Sequence, residues 1–466
     1  MSVKELSEKL LMKKASAWEK NKGKEDEIFK FCEGYKKFLD FAKTERKAFD
    51  YILKKASEKG FKEAGDSSDK FFVTNRNKSI ALVKLGSNPI EKGIKFIVSH
   101  IDSPRLDLKQ NPLFEEAGVG LFRTHYYGGI KKYHWVSIPL SLYATVILAN
   151  GEKIEFTIGE DDNDPVFTVT DLLPHLARKT QGEKKVFEAI HGEKLVVVFG
   201  GIPMAKDEDE EVKDAIKLNV LKILNDKYGI VEEDFLSAEV EIVPSFKAKD
   251  VGIDRSFIGA YGQDDRVCAY TSLSAFFDAL DSDDTIVALF ADKEEIGSDG
   301  NTGAKARFLE YVASKIIEKT SDNPNEFLLK EVLFKSKAIS ADVNGALDPV
   351  YQEVHEKQNA AFIGYGICVT KFTGSGGKYS ANDAHAEFVG WIRKIFNENE
   401  VCWQTGELGK IDEGGGGTVA KFLAEYGMDV IDAGTALLGM HSPFELSSKV
   451  DVFETYKAYK VFYRSV

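Results

Sequence analysis

Glu294 and Glu295 stand side by side just beyond the apolar run of residues 285–290 (TIVALF), with Gly297 close behind. The run reads as a buried strand. Adjacent carboxylates repel and lose solvation together, so a fold core does not gather them at a strand end without compensation. A divalent cation compensates: one carboxylate serves as ligand and the other accepts the proton of a bound water. A lone Glu-Glu pair would read better as a solvated turn. Three other strand ends with matching residues outweigh that reading.

Residues 95–99 (KFIVS) run straight into His100-Ile101-Asp102. Histidine is the commonest side-chain metal ligand, and a carboxylate beside its second ring nitrogen fixes the tautomer. Residues 336–341 stay largely small and apolar until Asp342, and His441 follows a further candidate strand at residues 428–431. Asp264 and Asp265 precede an apolar helix that begins at Val267; helix capping by either acid is the competing reading there. In open α/β sheets, ligands bind beyond the carboxyl ends of the strands. That rule brings His100, Asp264, Glu294, Glu295, Asp342 and His441 to one rim. Two imidazoles and several carboxylates suit Zn²⁺, Co²⁺ or Mn²⁺. They are too many for one tetrahedral site and right for two metals sharing a bridge.

The elements that must position these residues are legible in outline. From Glu25 to Lys59, aromatic and aliphatic residues alternate with Lys and Glu at helical spacing, as in amphipathic surface helices. Between Leu106 and Asp250 the character is β-rich, with Asn150-Gly151 signalling a two-residue hairpin. The charge run of residues 206–211 (KDEDEE) reads as a solvated loop, and Gly414-Gly415-Gly416-Gly417 as a turn that could alternatively cradle a substrate backbone. Strand-helix alternation resumes after Val251. The fold class is therefore α/β: a catalytic domain, residues 1–105 and 251–466, interrupted by an inserted β-rich domain, residues 106–250. A length of 466 residues suits two or three domains. A net charge of −13 argues against nucleic acid or an anionic membrane as partner. The four scattered cysteines predict neither a disulfide framework nor a structural zinc site, and fit a reducing compartment. With no signal-peptide pattern and no stretch of membrane-spanning length, the expected location is the cytoplasm.

The motifs His100-Ile101-Asp102-Ser103-Pro104, Asp264-Asp265-Arg266, Glu294-Glu295-Ile296-Gly297-Ser298, Ser340-Ala341-Asp342 and Met440-His441-Ser442 follow one another in this order. The chain thereby resembles the aminopeptidase I / aspartyl aminopeptidase family of cocatalytic metallo-aminopeptidases. The likeness runs from Tyr35 to about Tyr463 and takes in Tyr126-Tyr127-Gly128-Gly129 and Leu173-Pro174-His175-Leu176-Ala177. It implies that Asp264 bridges two metals, zinc first with cobalt or manganese as alternatives. His100 and Asp342 would complete one site, and Glu295 and His441 the other. It further implies Glu294 as general base, Asp102 as the residue orienting His100, and a cis bond between Asp264 and Asp265. The catalytic domain would be mixed-sheet and zinc-peptidase-like, the insert would serve dimerisation, dimers would build a closed homo-oligomer, a dodecamer, and His175 would enter the active site of a neighbouring subunit. By composition alone His175 is an ordinary surface histidine, as His125, His134, His191, His355 and His385 are surface or core residues. The substrates implied are peptides with a free α-amine. Relatives that prefer acidic substrates carry a Lys aligned with Gly376. Its absence here points to neutral N-terminal residues slightly favoured over acidic ones, with Lys378 as a substitute cation. Two rival readings share the motifs: a carboxypeptidase or deacylase with the same centre, and a non-enzymatic assembly protein on a hydrolase fold.

Overall fold

The computed structural model describes residues 1–12, 15–65, 68–205 and 213–465. The charge run of residues 206–211 lies outside them. Three sheets carry most of the strands.

The largest sheet has nine strands. Its middle is formed by Ile286–Ala291, Lys95–His100, Lys337–Ser340 and Asp429–Gly434, in that order and all parallel. Antiparallel strands flank this block, Ser79–Lys84 on one side and Ile367–Thr370 on the other. The four central strands are nearly continuous apolar runs because both faces are covered. Ile97, Ala288, Phe290, Ile339 and Ile431 point into a core with the helices Glu25–Phe41, Glu45–Glu58, Gln263–Phe277 and Lys449–Arg464. Their neighbours Phe96, Val98, Val287, Leu289, Ala338 and Val430 point the other way, against Phe308–Thr320 and Glu326–Lys335. The period-2 alternation of a strand thus feeds two separate cores.

A second, wholly antiparallel sheet of seven strands is built from Arg105–Glu116, Val119–Tyr127, Leu140–Ile147, Lys153–Ile158, Thr168–Val169, Val196–Gly200 and Glu239–Pro244. One helix, Ala215–Tyr228, packs on it, an element that the β-rich reading of this block did not include. The hairpin at Asn150-Gly151 is also wider than the two-residue turn expected. Leu148 and Glu152 close the loop, and Gly151 N–H donates to the Leu148 carbonyl. Only Gly151 takes a positive φ, +84°, whereas a two-residue type I′ turn needs two such residues. A third sheet of five strands includes Phe257–Ala260, Asn344–Gly345, Ala436–Leu438 and Glu445–Ser448.

Cys32, Cys268, Cys368 and Cys402 are buried and form no disulfide. No helix among the described residues is long and apolar enough to cross a membrane.

Candidate metal centre

The parallel register sets the site. Ala291 lies opposite His100 across neighbouring strands, and Ser340 opposite Val98. The chain that leaves these strands therefore brings His100, Asp102, Glu294, Glu295 and Asp342 out at one rim. Asp264 arrives from the other direction, in the first turn of the helix Gln263–Phe277, where neither it nor Asp265 has helical φ/ψ. The bond between them is cis, as the family likeness implied. Neither acid caps this helix, so the capping reading does not apply.

Asp264 sits between the two histidines. Its Oδ1 is 3.2 Å from His100 Nε2 and its Oδ2 is 3.1 Å from His441 Nε2. Each imidazole is held from behind by acceptors. His100 Nδ1 faces the Asp102 carbonyl at 3.1 Å and Asp102 Oδ1 at 3.3 Å, and His441 Nδ1 donates to the Gly129 carbonyl at 2.7 Å. A carbonyl only accepts, so both Nδ1 atoms carry a proton, and each Nε2 faces the centre, where it donates to Asp264 as an imidazolium or offers its lone pair to a cation. Glu294 Oε2 and Asp342 Oδ1 lie 4.0 and 3.9 Å from His100 Nε2, and Glu295 Oε2 lies 3.4 Å from His441 Nε2.

The electrostatics are those of crowded acids. Burial, reinforced by Asp102 and Asp264, pushes the Glu294 carboxyl up to about 7. Burial and then Asp264 push Glu295 well above the carboxylate range, and burial and then Glu294 do the same to Asp342. Asp264 goes the other way: burial opposes its ionisation, but hydrogen bonds from His100 and His441 hold its pKa below the ordinary value. Protonated carboxyls are one way to relieve such crowding, and a cation is the other. The donor set favours the cation. The donor atoms of His100, Asp264 and Glu295 lie within 4.8 Å of one another, as do those of His100, Asp265 and Asp342. Glu295 Oε1 is buried with no hydrogen-bond partner among the described residues. Two imidazole nitrogens with carboxylate oxygens at this spacing fit zinc.

Asp265 belongs to this cluster by distance. Its Oδ2 accepts the backbone N–H of His100 at 3.3 Å, which ties the helix start to the ligand-bearing strand. Glu445 is a second buried acid that sequence reasoning passed over. It accepts the backbone N–H groups of His441 at 2.7 Å and of Asp264 at 3.2 Å, so it fixes two further loops of the centre. No motif spacing marks it, because its partners are backbone groups.

A cavity of about 560 Å³ opens on the centre. Asp264, Glu294, Glu295, Asp342 and His441 form one end, and Phe372, Leu408, Ile411 and Met440 line the rest with the Gly374–Gly376 and Gly414–Gly417 segments. Gly414–Gly417 is therefore a wall element and not a plain surface turn. Gly374–Ser375 and Gly415–Gly416 pair as two short antiparallel strands. Gly415 has φ +109°, and a Cβ there would meet the Gly374 carbonyl oxygen at 1.8 Å, so only glycine permits the approach. Of the residues expected to act in the reaction, His175 stands apart. It lies on the short helix Pro174–Ala177, exposed, and does not line the cavity. Lys378 is also absent from the lining and pairs with Asp383 at 3.0 Å.

Comparison with known proteins places this geometry in a family. A family model described as aminopeptidase I zinc metalloprotease (M18) matches residues 38–463. The chain is 50% identical over 454 residues to a probable M18 family aminopeptidase 1 of Thermotoga maritima, covering 96% of this chain and 98% of that one. It is 49% identical over 461 residues to the corresponding protein of Borrelia garinii, covering 97% and 100%. The crystal structure of the Thermotoga maritima M18 aminopeptidase superposes with a TM-score of 0.93 at 50% identity, over 98% of this chain and 100% of that one. The fold is shared more distantly with the mApe1 dodecamer of S. cerevisiae, at a TM-score of 0.75 and 20% identity over 94% and 97% of the two chains. The rim of acids and imidazoles thus sits in a chain that belongs to the M18 family of aminopeptidase I zinc metalloproteases, and the protein is a peptidase.

Proposed function

We propose that the protein removes the N-terminal residue from peptides with a free α-amine, at a centre for two divalent ions, zinc in the first instance. The observation that carries this reading is Asp264, whose two oxygens each face a different histidine Nε2 at 3.1–3.2 Å. A carboxylate so placed suits a bridge between two cations. His100 and Asp342 would complete one site, and Glu295 and His441 the other. Bound there, the ions would acidify the attacking water, polarise the scissile carbonyl and hold the α-amine. Glu294, at the cavity's end, takes the proton of that water and delivers it to the leaving amine. Asp102 keeps His100 in the required tautomer and accepts the backbone N–H of Glu294 at 3.1 Å and of Glu295 at 3.2 Å, so one carboxylate holds ligand and base together.

The apolar wall receives neutral side chains, and Gly376 brings no cation to it. The preference over acidic residues is slight, because Lys410 and Lys421 also line the cavity. At the level of domains, residues 106–250 serve dimerisation between two catalytic segments, 1–105 and 251–466. Dimers then build a closed dodecamer, a state that a protein of the same fold adopts. The exposed His175 enters the neighbouring subunit's site, where its ring N–H stabilises the developing oxyanion, an effect worth roughly 2–4 kcal/mol.

The test is a panel of amino-acyl amides, each free and N-acetylated, with the zinc-loaded protein. Cleavage of the free amides alone is expected, with Leu and Met at least equal to Asp and Glu. Comparable cleavage of acetylated substrates would favour the deacylase or carboxypeptidase reading. A tenfold higher kcat/KM on Asp or Glu would overturn the neutral preference.

A further inference from the structure

The strand Val119–Tyr127 belongs to the antiparallel sheet, yet the chain at its end reaches the metal centre twice. Tyr127 Oη donates to Asp102 Oδ2 at 2.7 Å. Two residues on, the Gly129 carbonyl accepts from His441 Nδ1 at 2.7 Å. Gly128 between them has φ +73°, and a Cβ there would stand 3.3 Å from the Glu295 side chain and 3.4 Å from Pro104 Cα. The segment therefore passes the centre closely enough that a side chain at 128 would crowd Glu295.

Asp102 is the hub of the contact. Its carboxylate accepts from Tyr127 Oη and from the backbone N–H groups of Glu294 and Glu295, and it faces His100 Nδ1. A buried carboxylate that keeps its full set of donors is fixed in direction, and what it binds is fixed with it. Tyr127 is fixed in its turn. The Arg105 guanidinium lies 4.0 Å from its ring centroid, within cation–π range. Arg105 is buried and paired with Asp107 at 2.8 Å, Glu241 at 3.3 Å and Glu45 at 3.4 Å. Burial and then Asp102 hold the Tyr127 phenol far above its ordinary pKa, so it remains a donor at any working pH.

We propose that Tyr127, backed by Arg105, is a positioning residue of the metal centre, through which the antiparallel sheet sets metal affinity and the aim of the Glu294-Glu295 turn. The inference rests on the two-metal reading of the site. It makes the sheet a part of the catalytic apparatus as well as a proposed interface, because distortion of the sheet would travel by Arg105, Tyr127 and Asp102 to His100 and Glu294.

The experiment uses full-length Tyr127→Phe, which keeps the ring and its stack on Arg105 and deletes only the hydroxyl, with Tyr126→Phe as the control. Zinc affinity is measured by chelator competition, alongside Tm with and without zinc and the separate kcat and KM. Loss of a residue that orients metal ligands weakens affinity by about 10–100-fold. Tyr127→Phe should show that loss, a smaller rise of Tm on zinc addition, an apo Tm close to wild type, and a fall in kcat at nearly constant KM. Arg105→Lys, which keeps the charge and removes the stack, should weaken zinc binding in the same direction by less. Zinc affinity within twofold of wild type in Tyr127→Phe would overturn the proposal. If Tyr127→Phe does not fold, wild-type affinity in Arg105→Lys would overturn it equally. Wild-type protein that takes up no zinc would sink the two-metal reading and this inference together, and the wild-type arm tells that failure from the other.

Discussion

In the proposed bridge Asp264 uses both of its oxygens, one toward each histidine. A glutamate at this position would carry the carboxylate one methylene further and lose the simultaneous approach to His100 and His441. The sequence made His100, Glu294, Glu295 and Asp342 visible because each lies just beyond a run whose apolar character stops abruptly, and Asp264 because it stands where an apolar helix begins. It left undecided which of Glu294 and Glu295 is ligand and which is base, since two adjacent glutamates are equivalent on paper. In the structure Glu295 Oε2 lies 3.4 Å from His441 Nε2 and Glu294 Oε2 lies 4.0 Å from His100 Nε2, and both line the cavity, so the choice of Glu294 as base is the one the family likeness implies. Glu445 stayed hidden, and Tyr127 was visible only within the motif of residues 126–129 and without a role, because their partners, backbone N–H groups and another residue's carboxylate, leave no trace in spacing. Glu294→Gln keeps the shape of the side chain but cannot take a proton from water. Metal content by elemental analysis should match wild type, and kcat should fall by about 10²–10⁴-fold. Near-wild-type turnover in the metal-loaded variant would refute the general-base role.

Elements that bury both faces announced themselves most clearly. Continuous apolar runs such as residues 285–290 became the central parallel strands, each serving two cores. Elements set by backbone contact were harder to read. The glycine run of residues 414–417 looked like a turn because its function depends on Gly374–Ser375, about 40 residues earlier in the chain. The helix Ala215–Tyr228 was likewise overlooked amid strands, since it buries only a narrow face with Ile216 and Leu224. The wall strand offers a direct test. Gly415→Ala must place a Cβ where the Gly374 carbonyl stands, at a φ that L-residues rarely adopt. A strain above about 1 kcal/mol follows, so the wall should shift. KM for amino-acyl amides should rise about tenfold or more while zinc affinity stays unchanged. An unaltered KM would mean that this wall does not touch the substrate.

For the whole molecule, two claims reach beyond a single chain's contacts. If His175 acts in a neighbouring subunit, neither subunit completes a site alone. His175→Phe and Glu294→Gln chains, each inactive, should regain part of the activity when mixed under conditions of subunit exchange, because some pairs then unite an intact Glu294 with an intact His175. No recovery despite proven exchange would place His175 in its own chain's site or outside the reaction. The other claim is the metal pair itself, and a zinc titration reads it without any mutation. Metal-free protein is titrated while bound zinc and hydrolysis of leucine amide are followed in the same samples. Activity should rise to a plateau at two zinc ions per chain. Full activity at one ion per chain, or two ions bound with no hydrolysis, would contradict the two-metal centre.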